Sequence, residues 1–177
     1  MEQSNSKQNV FDRENVIVIG GAGFIGSHLC EELVKKYNVI CIDNFVTSNQ
    51  ANITHLLRNA NFIFINHNIN EDLDLEKTPE LERLNLAVSG IKHIYNLACP
   101  TSPKNFKEHR IQTVLTNSIG TYKSLELALK YKSKYLQASS SVVYGGVEEG
   151  GYVFKENAIG CVDHTGPRAC YDEGKRF

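Results

Sequence analysis

A glycine-rich turn stands directly after the first apolar run of the sequence. The run is Val16–Ile19, and glycines follow at Gly20, Gly23 and Gly26. The first glycine permits a tight turn off a strand, the second lets backbone N–H groups approach a phosphate, and the third lets a helix pack closely on the strand. The N-terminus of that helix attracts an anion. The pattern predicts a strand–turn–helix unit that holds a dinucleotide pyrophosphate, with a plain strand-to-helix connection as the alternative.

An acidic residue follows the second apolar run. Val39–Ile42 ends in Asp43, 20 positions after Gly23. A carboxylate there can accept hydrogen bonds from both hydroxyls of an adenosine ribose, whereas a 2′-phosphate would meet a like charge. The position therefore favours NAD(H) over NADP(H). The alternative is a surface acid that caps a turn together with Asn44.

Short apolar runs alternate with helical patterns along the chain, which is typical of βαβ units. The predicted fold class is α/β, a Rossmann-type doubly wound parallel sheet. The predicted strands are Val16–Ile19, Val39–Ile42, Phe62–Ile65, His93–Leu97 and Tyr135–Ala138, and the predicted helices are Phe24–Tyr37, Gln50–Asn59, Pro79–Ser89 and Phe106–Lys132. Residues 1–14 are predicted to be a flexible N-terminal segment, and residues 15–177 a single NAD-binding domain.

The longest predicted helix carries apolar residues near helical spacing, and we expect this face to pack on the sheet. Its members are Ile111, Val114, Leu115, Ile119, Tyr122, Leu125, Leu129 and Tyr131.

Composition narrows the function classes. The 19 basic and 20 acidic residues are interspersed and give a net charge of −1, which argues against a nucleic-acid partner. The apolar runs are strand-sized and the first residues are polar, so we expect no membrane span and a cytoplasmic protein. Five cysteines at irregular spacing predict free thiols, and the scattered histidines predict no metal site.

A tyrosine and a lysine four residues apart, Tyr171 and Lys175, fall on one face of a predicted helix. A lysine charge close to a phenol stabilises phenolate and suits the tyrosine to general-base work. Ser139–Ser141 follow the fifth predicted strand, at the sheet edge where ligands bind in open α/β folds. A solvated helix face and a serine-rich turn are the alternatives for these two segments.

These residues together resemble the extended short-chain dehydrogenase/reductases that act on nucleotide sugars, and most closely the UDP-glucuronic acid decarboxylases, or UDP-xylose synthases. The resemblance runs from about Val16 to Phe177. It is carried by Gly20–Leu29, Asp43–Phe45, Asn96–Pro103, Thr116-Asn117, Ile119–Thr121, Ser139–Gly145 and Gly166–Arg176.

The resemblance implies bound NAD, oxidation of a UDP-sugar at C4, loss of CO₂ from UDP-glucuronate and re-reduction to UDP-xylose. It implies Tyr171 as the base, Lys175 as its partner and Ser140 as the hydroxyl that assists at C4. It also implies that Tyr171 and Lys175 contact the cofactor together with twelve other residues. Those at the pyrophosphate are Gly20, Gly23, Phe24 and Ile25, and those at the adenosine are Asp43, Asn44 and Phe45. Those at the adenine edge are Asn68 and Ile69, and those at the nicotinamide are Leu97, Ala98 and Thr116.

The sequence departs from the decarboxylase pattern at charged positions. Val142 stands where the decarboxylases carry a glutamate, Leu115 where a substrate-contacting lysine is common, and Asn68 where an aspartate is usual. Loss of one positioned acid–base group costs on the order of 10²–10⁴ in rate, so the decarboxylation step is the one most affected.

The resemblance also implies further strands and a substrate domain beyond Phe177. We therefore expect a truncated Rossmann domain that is inactive by itself and that pairs with a complementing C-terminal chain or a second copy. Two other functions stay open, namely a catalytically inactive NAD-binding or partner-binding module, and a nucleotide-sugar epimerase or dehydratase.

Overall fold

A computed structural model of the chain describes residues 13–146 and 153–177. Within these residues, five strands form one parallel sheet in the order β3–β2–β1–β4–β5. The strands are β1 Asn15–Ile19, β2 Asn38–Asp43, β3 Phe62–Asn66, β4 His93–Asn96 and β5 Lys134–Gln137. This confirms the predicted Rossmann-type sheet. The flexible segment predicted for residues 1–14 lies, up to residue 12, outside the described residues.

The central strands are apolar on both faces because helices and turns cover both sides of a parallel sheet. Every residue of β1 is buried. Val16, Val18, Val39 and Cys41 face one layer, in which Cys30 of the first helix packs against them. The alternate residues of both strands face the opposite layer of leucines and isoleucines. All five cysteines are free thiols.

The α-helices of the described residues are α1 Phe24–Leu33, α2 Leu86–Ser89, α3 Pro103–Glu108, α4 Arg110–Leu115, α5 Thr121–Tyr131 and α6 Ala169–Arg176. One turn of π-helix, Thr116–Gly120, joins α4 to α5. Short 3₁₀ turns occur at Gln50–Asn52, Leu75–Lys77, Pro79–Leu84 and Ser141–Tyr144.

Several predicted helices are shorter or broken. The helix predicted over Gln50–Asn59 is only a 3₁₀ turn, Gln50–Asn52, because Ile53 leaves the helical conformation with φ −118° and ψ 1°, and non-helical turns follow. The helix predicted over Pro79–Ser89 is interrupted at Asn85, which adopts the left-handed conformation with φ 46°. The helix predicted over Phe106–Lys132 breaks at His109, and the predicted first helix ends early, at Leu33.

The prediction that the apolar face of the longest helix packs on the sheet was wrong. Six of its eight residues are exposed: Ile111, Val114, Ile119, Tyr122, Leu125 and Leu129. Apart from Phe106 at its start, the residues that the predicted helix buries are small or polar, namely Thr113, Asn117, Gly120, Ser124 and Ala128. Small side chains let a helix lie close to its neighbours. The buried hydroxyls of Thr113 and Ser124 donate to carbonyls one turn earlier, so their burial leaves no unmet hydrogen bond.

Candidate dinucleotide and catalytic site

A cavity of about 310 Å³ lies at the carboxyl ends of β1, β2 and β4. This is the edge of an open parallel sheet at which ligands bind. Nine of the residues proposed from the sequence for the cofactor line it: Gly20, Gly23, Asp43, Asn44, Asn68, Ile69, Leu97, Ala98 and Thr116. The other lining residues include Val46, Thr47, Ser48, Cys99 and Gln112. Among the described lining residues, neither lysine nor arginine occurs.

The glycine turn is shaped by positions at which a side chain has no room. Gly20 has φ +77°, and a Cβ there would lie 2.8 Å from the backbone nitrogen of Ala98. A Cβ on Gly26 would lie 2.3 Å from the carbonyl oxygen of Gly20. The first glycine therefore lets β1 and the chain after β4 approach each other, and the third lets α1 approach the turn.

The first helix begins at the cavity. Gly23 is the N-cap residue of α1 and provides no side-chain cap, so backbone N–H groups of the first turn remain for a ligand. An anion at such a helix end is stabilised by these groups and by the helix dipole. Phe24 and Ile25 begin the helix with exposed side chains and do not line the cavity.

Asp43 is held by three hydrogen bonds. Its Oδ2 accepts from the Ala22 N–H at 3.0 Å, while its Oδ1 accepts from the Phe45 N–H at 2.9 Å and from the Ser48 hydroxyl at 2.7 Å. The carboxylate thus connects the glycine turn to the segment after β2 and faces the cavity with a fixed orientation. Ser48 was not identified from the sequence, because a serine five residues after an aspartate does not belong to a known motif.

Phe45 helps to orient the Asp43 carboxylate through its backbone N–H. It adopts a left-handed conformation with φ 59°, which turns its N–H towards Asp43. Its ring stacks on Phe64 with centroids 5.0 Å apart and does not line the cavity.

The segment after β3 closes another wall of the cavity. The Asn68 amide donates to Glu71 Oε1 at 3.1 Å and accepts from the Asn70 N–H at 3.2 Å. Ile69 beside it is buried. Asn68 is therefore a neutral, oriented amide at the position proposed for the adenine edge.

Tyr171 and Lys175 lie on α6 and face the core. The Tyr171 ring is buried and stacks on Phe106, with centroids 4.8 Å apart. Lys175 Nζ lies 6.0 Å from the centre of the Tyr171 ring and donates to the carbonyl oxygen of Ala138 at 2.7 Å. Burial lowers the pKa of Lys175 below the ordinary lysine value of 10.5. The spacing of these residues in the sequence therefore correctly placed them on one helix face.

Ser140 stands two residues beyond the carbonyl that Lys175 contacts. Its Oγ accepts from the Val142 N–H at 3.4 Å and caps the 3₁₀ turn Ser141–Tyr144, against which α6 packs. None of the hydrogen bonds found among the described residues joins Ser140 to Tyr171. Neither these two residues nor Lys175 lines the cavity.

Asn117 and Cys99, which were not predicted as site residues, connect the cavity to α6. The buried Asn117 amide donates to the Thr113 carbonyl at 2.9 Å and to Cys99 Sγ at 3.2 Å. A Cβ on Gly174 would lie 3.1 Å from the Asn117 side chain, so α6 rests directly on it. Burial raises the pKa of the Cys99 thiol, and the Lys175 charge opposes that rise. The sequence signal available for Asn117 was its place in the Thr116-Asn117 segment of the family resemblance.

Within residues 13–146 and 153–177, no three histidine, cysteine or acidic side chains are arranged to ligate a metal. No helix in this part of the chain has the length and apolar character needed to cross a membrane.

The family model for GDP-mannose 4,6 dehydratase matches residues 17–177. The chain is 40% identical over 166 residues to UDP-glucuronic acid decarboxylase 1 of Danio rerio. That match covers 93% of the chain and 36% of the relative, so the chain spans about a third of the relative's length.

Solved structures show the same architecture. An epimerase of Methanothermobacter thermautotrophicus superposes with a TM-score of 0.72 and 28% identity, over 93% of this chain and 45% of that one. The dTDP-glucose 4,6-dehydratase of Bacillus anthracis, solved in complex with NAD, gives a TM-score of 0.68 and 27% identity, over 92% and 47%.

Proposed function

The chain belongs to the GDP-mannose 4,6-dehydratase family, and on that premise we propose that it binds NAD in the cavity at the carboxyl edge of its sheet. The observation that carries the proposal is the combination of Gly20, the open first turn of α1 and the fixed carboxylate of Asp43 around one cavity. Backbone N–H groups would hold the pyrophosphate, and Asp43 would accept from the adenosine ribose.

The proposed chemistry is the transfer of a hydride from C4 of a nucleotide sugar, with bound NAD as the hydride acceptor. Tyr171 takes the proton of the C4 hydroxyl. Lys175, whose Nζ lies 6.0 Å from the centre of the Tyr171 ring, places a positive charge beside the phenol in this step. Ser140, at the end of β5, donates to the C4 oxygen. The support for these roles is that α6 packs against the turn that Ser140 caps.

The proposed substrate is UDP-glucuronate, because the curated relatives are named UDP-glucuronic acid decarboxylases. We propose further that decarboxylation by this chain is impaired. Val142 lies in the turn capped by Ser140 and carries no group that transfers a proton. Leu115 ends α4 directly before Thr116, which lines the cavity.

Two other functions have specific support. The uncharged residues Val142 and Leu115 favour an NAD-binding module without turnover. The similarity to an epimerase and a 4,6-dehydratase favours C4 chemistry without loss of CO₂.

The proposed partner is a second copy of the chain or a complementing chain that supplies a substrate domain. The exposed apolar residues of α4 and α5 lie along one side of the helical run and offer a surface for a second helix pair.

Calorimetric titration with NAD⁺ tests the cofactor proposal, with Asp43→Asn as the test variant and Ser48→Ala as the matched control. A hydrogen bond to a charged group contributes about 1.5–3 kcal/mol, so Asp43→Asn should weaken binding roughly ten- to hundredfold. Ser48→Ala removes one neighbour of the carboxylate and keeps its charge, so most of the affinity should remain. A folded wild-type chain that shows no saturable binding would refute the proposal.

A further inference from the structure

A second polar cavity lies at the opposite edge of the sheet, where β1 and β2 begin. It has a volume of about 210 Å³. Its polar lining residues are Arg13, Asn15, Asn38, Arg83, Asn85 and Ser89. Neither aspartate nor glutamate is among the described lining residues, so the ionised groups that these residues contribute to the wall are two guanidinium groups of the same sign.

Each guanidinium group is anchored to a backbone carbonyl of a different part of the chain. Arg13 Nη1 donates to the carbonyl of Val34 at 3.0 Å, just after α1, and Arg83 Nη2 donates to the carbonyl of Ala60 at 2.6 Å, before β3. A guanidinium has five N–H donors, so each retains others. Over the part of the chain that the structure describes, no carboxylate lies within ion-pair distance of either arginine.

The wall between the arginines is a fixed polar network. Asn15 and Asn38 are each only 2% exposed. The Asn15 amide donates to Ser89 Oγ at 2.8 Å and to the Gly90 carbonyl at 2.9 Å, and it accepts from the Asn38 amide at 3.1 Å. Buried side-chain hydrogen bonds of this kind restrict the motion of the residues that make them. The cavity is therefore polar, positively charged and held in shape without a ligand.

We propose that this cavity is a binding site for a phosphate-type oxyanion, held between Arg13 and Arg83. Guanidinium groups match the geometry of phosphate oxygens, and an anion in this cavity meets two positively charged side chains. The site lies beyond the opposite ends of the strands from the dinucleotide cavity, so it is separate from the pyrophosphate position and does not depend on NAD binding.

The test is a titration of the complete 177-residue chain with inorganic phosphate at constant ionic strength, followed by NMR of the arginine side-chain Nε–H groups. The signals of Arg13 and Arg83 should shift with one common, saturable affinity. Arg83→Met should weaken that affinity about tenfold, because it removes charge-assisted hydrogen bonds. Arg83 is exposed, so its replacement should leave the fold intact. Arg58→Met, an exposed arginine outside both cavities, is the matched control and should change nothing.

Three results would overturn the proposal. Equal, non-saturating shifts at Arg13, Arg83 and Arg58 would indicate general ionic screening. Unchanged binding in Arg83→Met would place the phosphate elsewhere, for example at the first turn of α1. Acetate that binds as tightly as phosphate would make the site one for carboxylates.

Discussion

At the scale of single residues, three glycines separate two effects that usually occur together. Gly20 has both a positive φ and a backbone neighbour in the way of a Cβ, Gly90 has a positive φ of 66° with nothing within 4 Å, and Gly26 has only the neighbour. Each effect can therefore be removed in its own variant.

We expect Gly90→Ala to cost about 1–3 kcal/mol of stability, because its φ of 66° and ψ of −170° lie in a region that only glycine readily adopts, and to leave NAD⁺ affinity unchanged. Gly20→Ala should cost more, because β1 and the chain after β4 must also move apart. Both Gly20→Ala and Gly26→Ala should weaken NAD⁺ binding. Urea unfolding and calorimetry measure the two quantities. Equal losses of stability in Gly20→Ala and Gly90→Ala would contradict the inference that a side chain at position 20 collides with Ala98.

Lys175 gives a pH dependence of stability. Its pKa in the folded chain is lowered by burial, so the buried ammonium destabilises the fold at neutral pH. As pH rises through the folded-state pKa towards 10.5, the folded chain releases this proton before the unfolded chain does, and the free energy of unfolding rises. Lys175→Met should remove this rise. Urea unfolding over that pH range measures it, and the exposed Lys36→Met should keep the wild-type slope.

The residues that the sequence identified are those whose role follows from local spacing. The glycines and Asp43 belong to one strand–turn–helix–strand unit, so their separation along the chain fixes their meeting in space. Asn117 and Cys99 meet across 18 positions because the π-helical turn Thr116–Gly120 lies against the segment that follows β4, and no local pattern encodes that contact.

At the scale of elements, the strands were predictable and the helices less so. Continuous runs of β-branched residues indicate a strand buried on both faces. Helical spacing does not say which face of a helix is buried. In the helical run of α4 and α5, the apolar face lies outside and the small polar face lies against the core. These helices lie close to the core, so the residues that face the core have small side chains. A count of hydrophobic residues does not reveal this.

The exposed apolar face of α4 and α5 predicts self-association of the chain. The stripe formed by Ile111, Val114, Tyr122, Leu125 and Leu129 should pair with a second copy, and Leu129 is 78% exposed at its end. Leu129→Lys should shift the chain towards monomer in sedimentation velocity, because pairing would bury an unpaired charge. Val88→Lys changes an equally exposed residue on α2 and should have no effect. A wild-type chain that remains monomeric at every concentration would contradict the prediction.

At the scale of the whole molecule, the chain contains the cavity that we propose for NAD and the helix of Tyr171 and Lys175, and it spans about a third of the length of the decarboxylase relative. We expect the purified chain to bind NAD⁺ without converting UDP-glucuronate, since Val142 and Leu115 provide no charged group. Chromatography of the reaction mixture for UDP-xylose measures this. Detection of UDP-xylose would show that the charged groups are dispensable.

The sheet order also has a consequence for synthesis on the ribosome. The first strand made, β1, is the central one, and each later strand pairs with a strand that has already been made: β2 with β1, β3 with β2, β4 with β1, and β5 with β4. The sheet can therefore grow outward in the order of translation, first on one flank and then on the other. The cavity at the carboxyl ends of β1, β2 and β4 is complete only after β4 has been added, because Ala98 and Thr116 form part of its wall. A nascent chain stalled before β4 would have a partial sheet and only the part of this cavity that precedes β4.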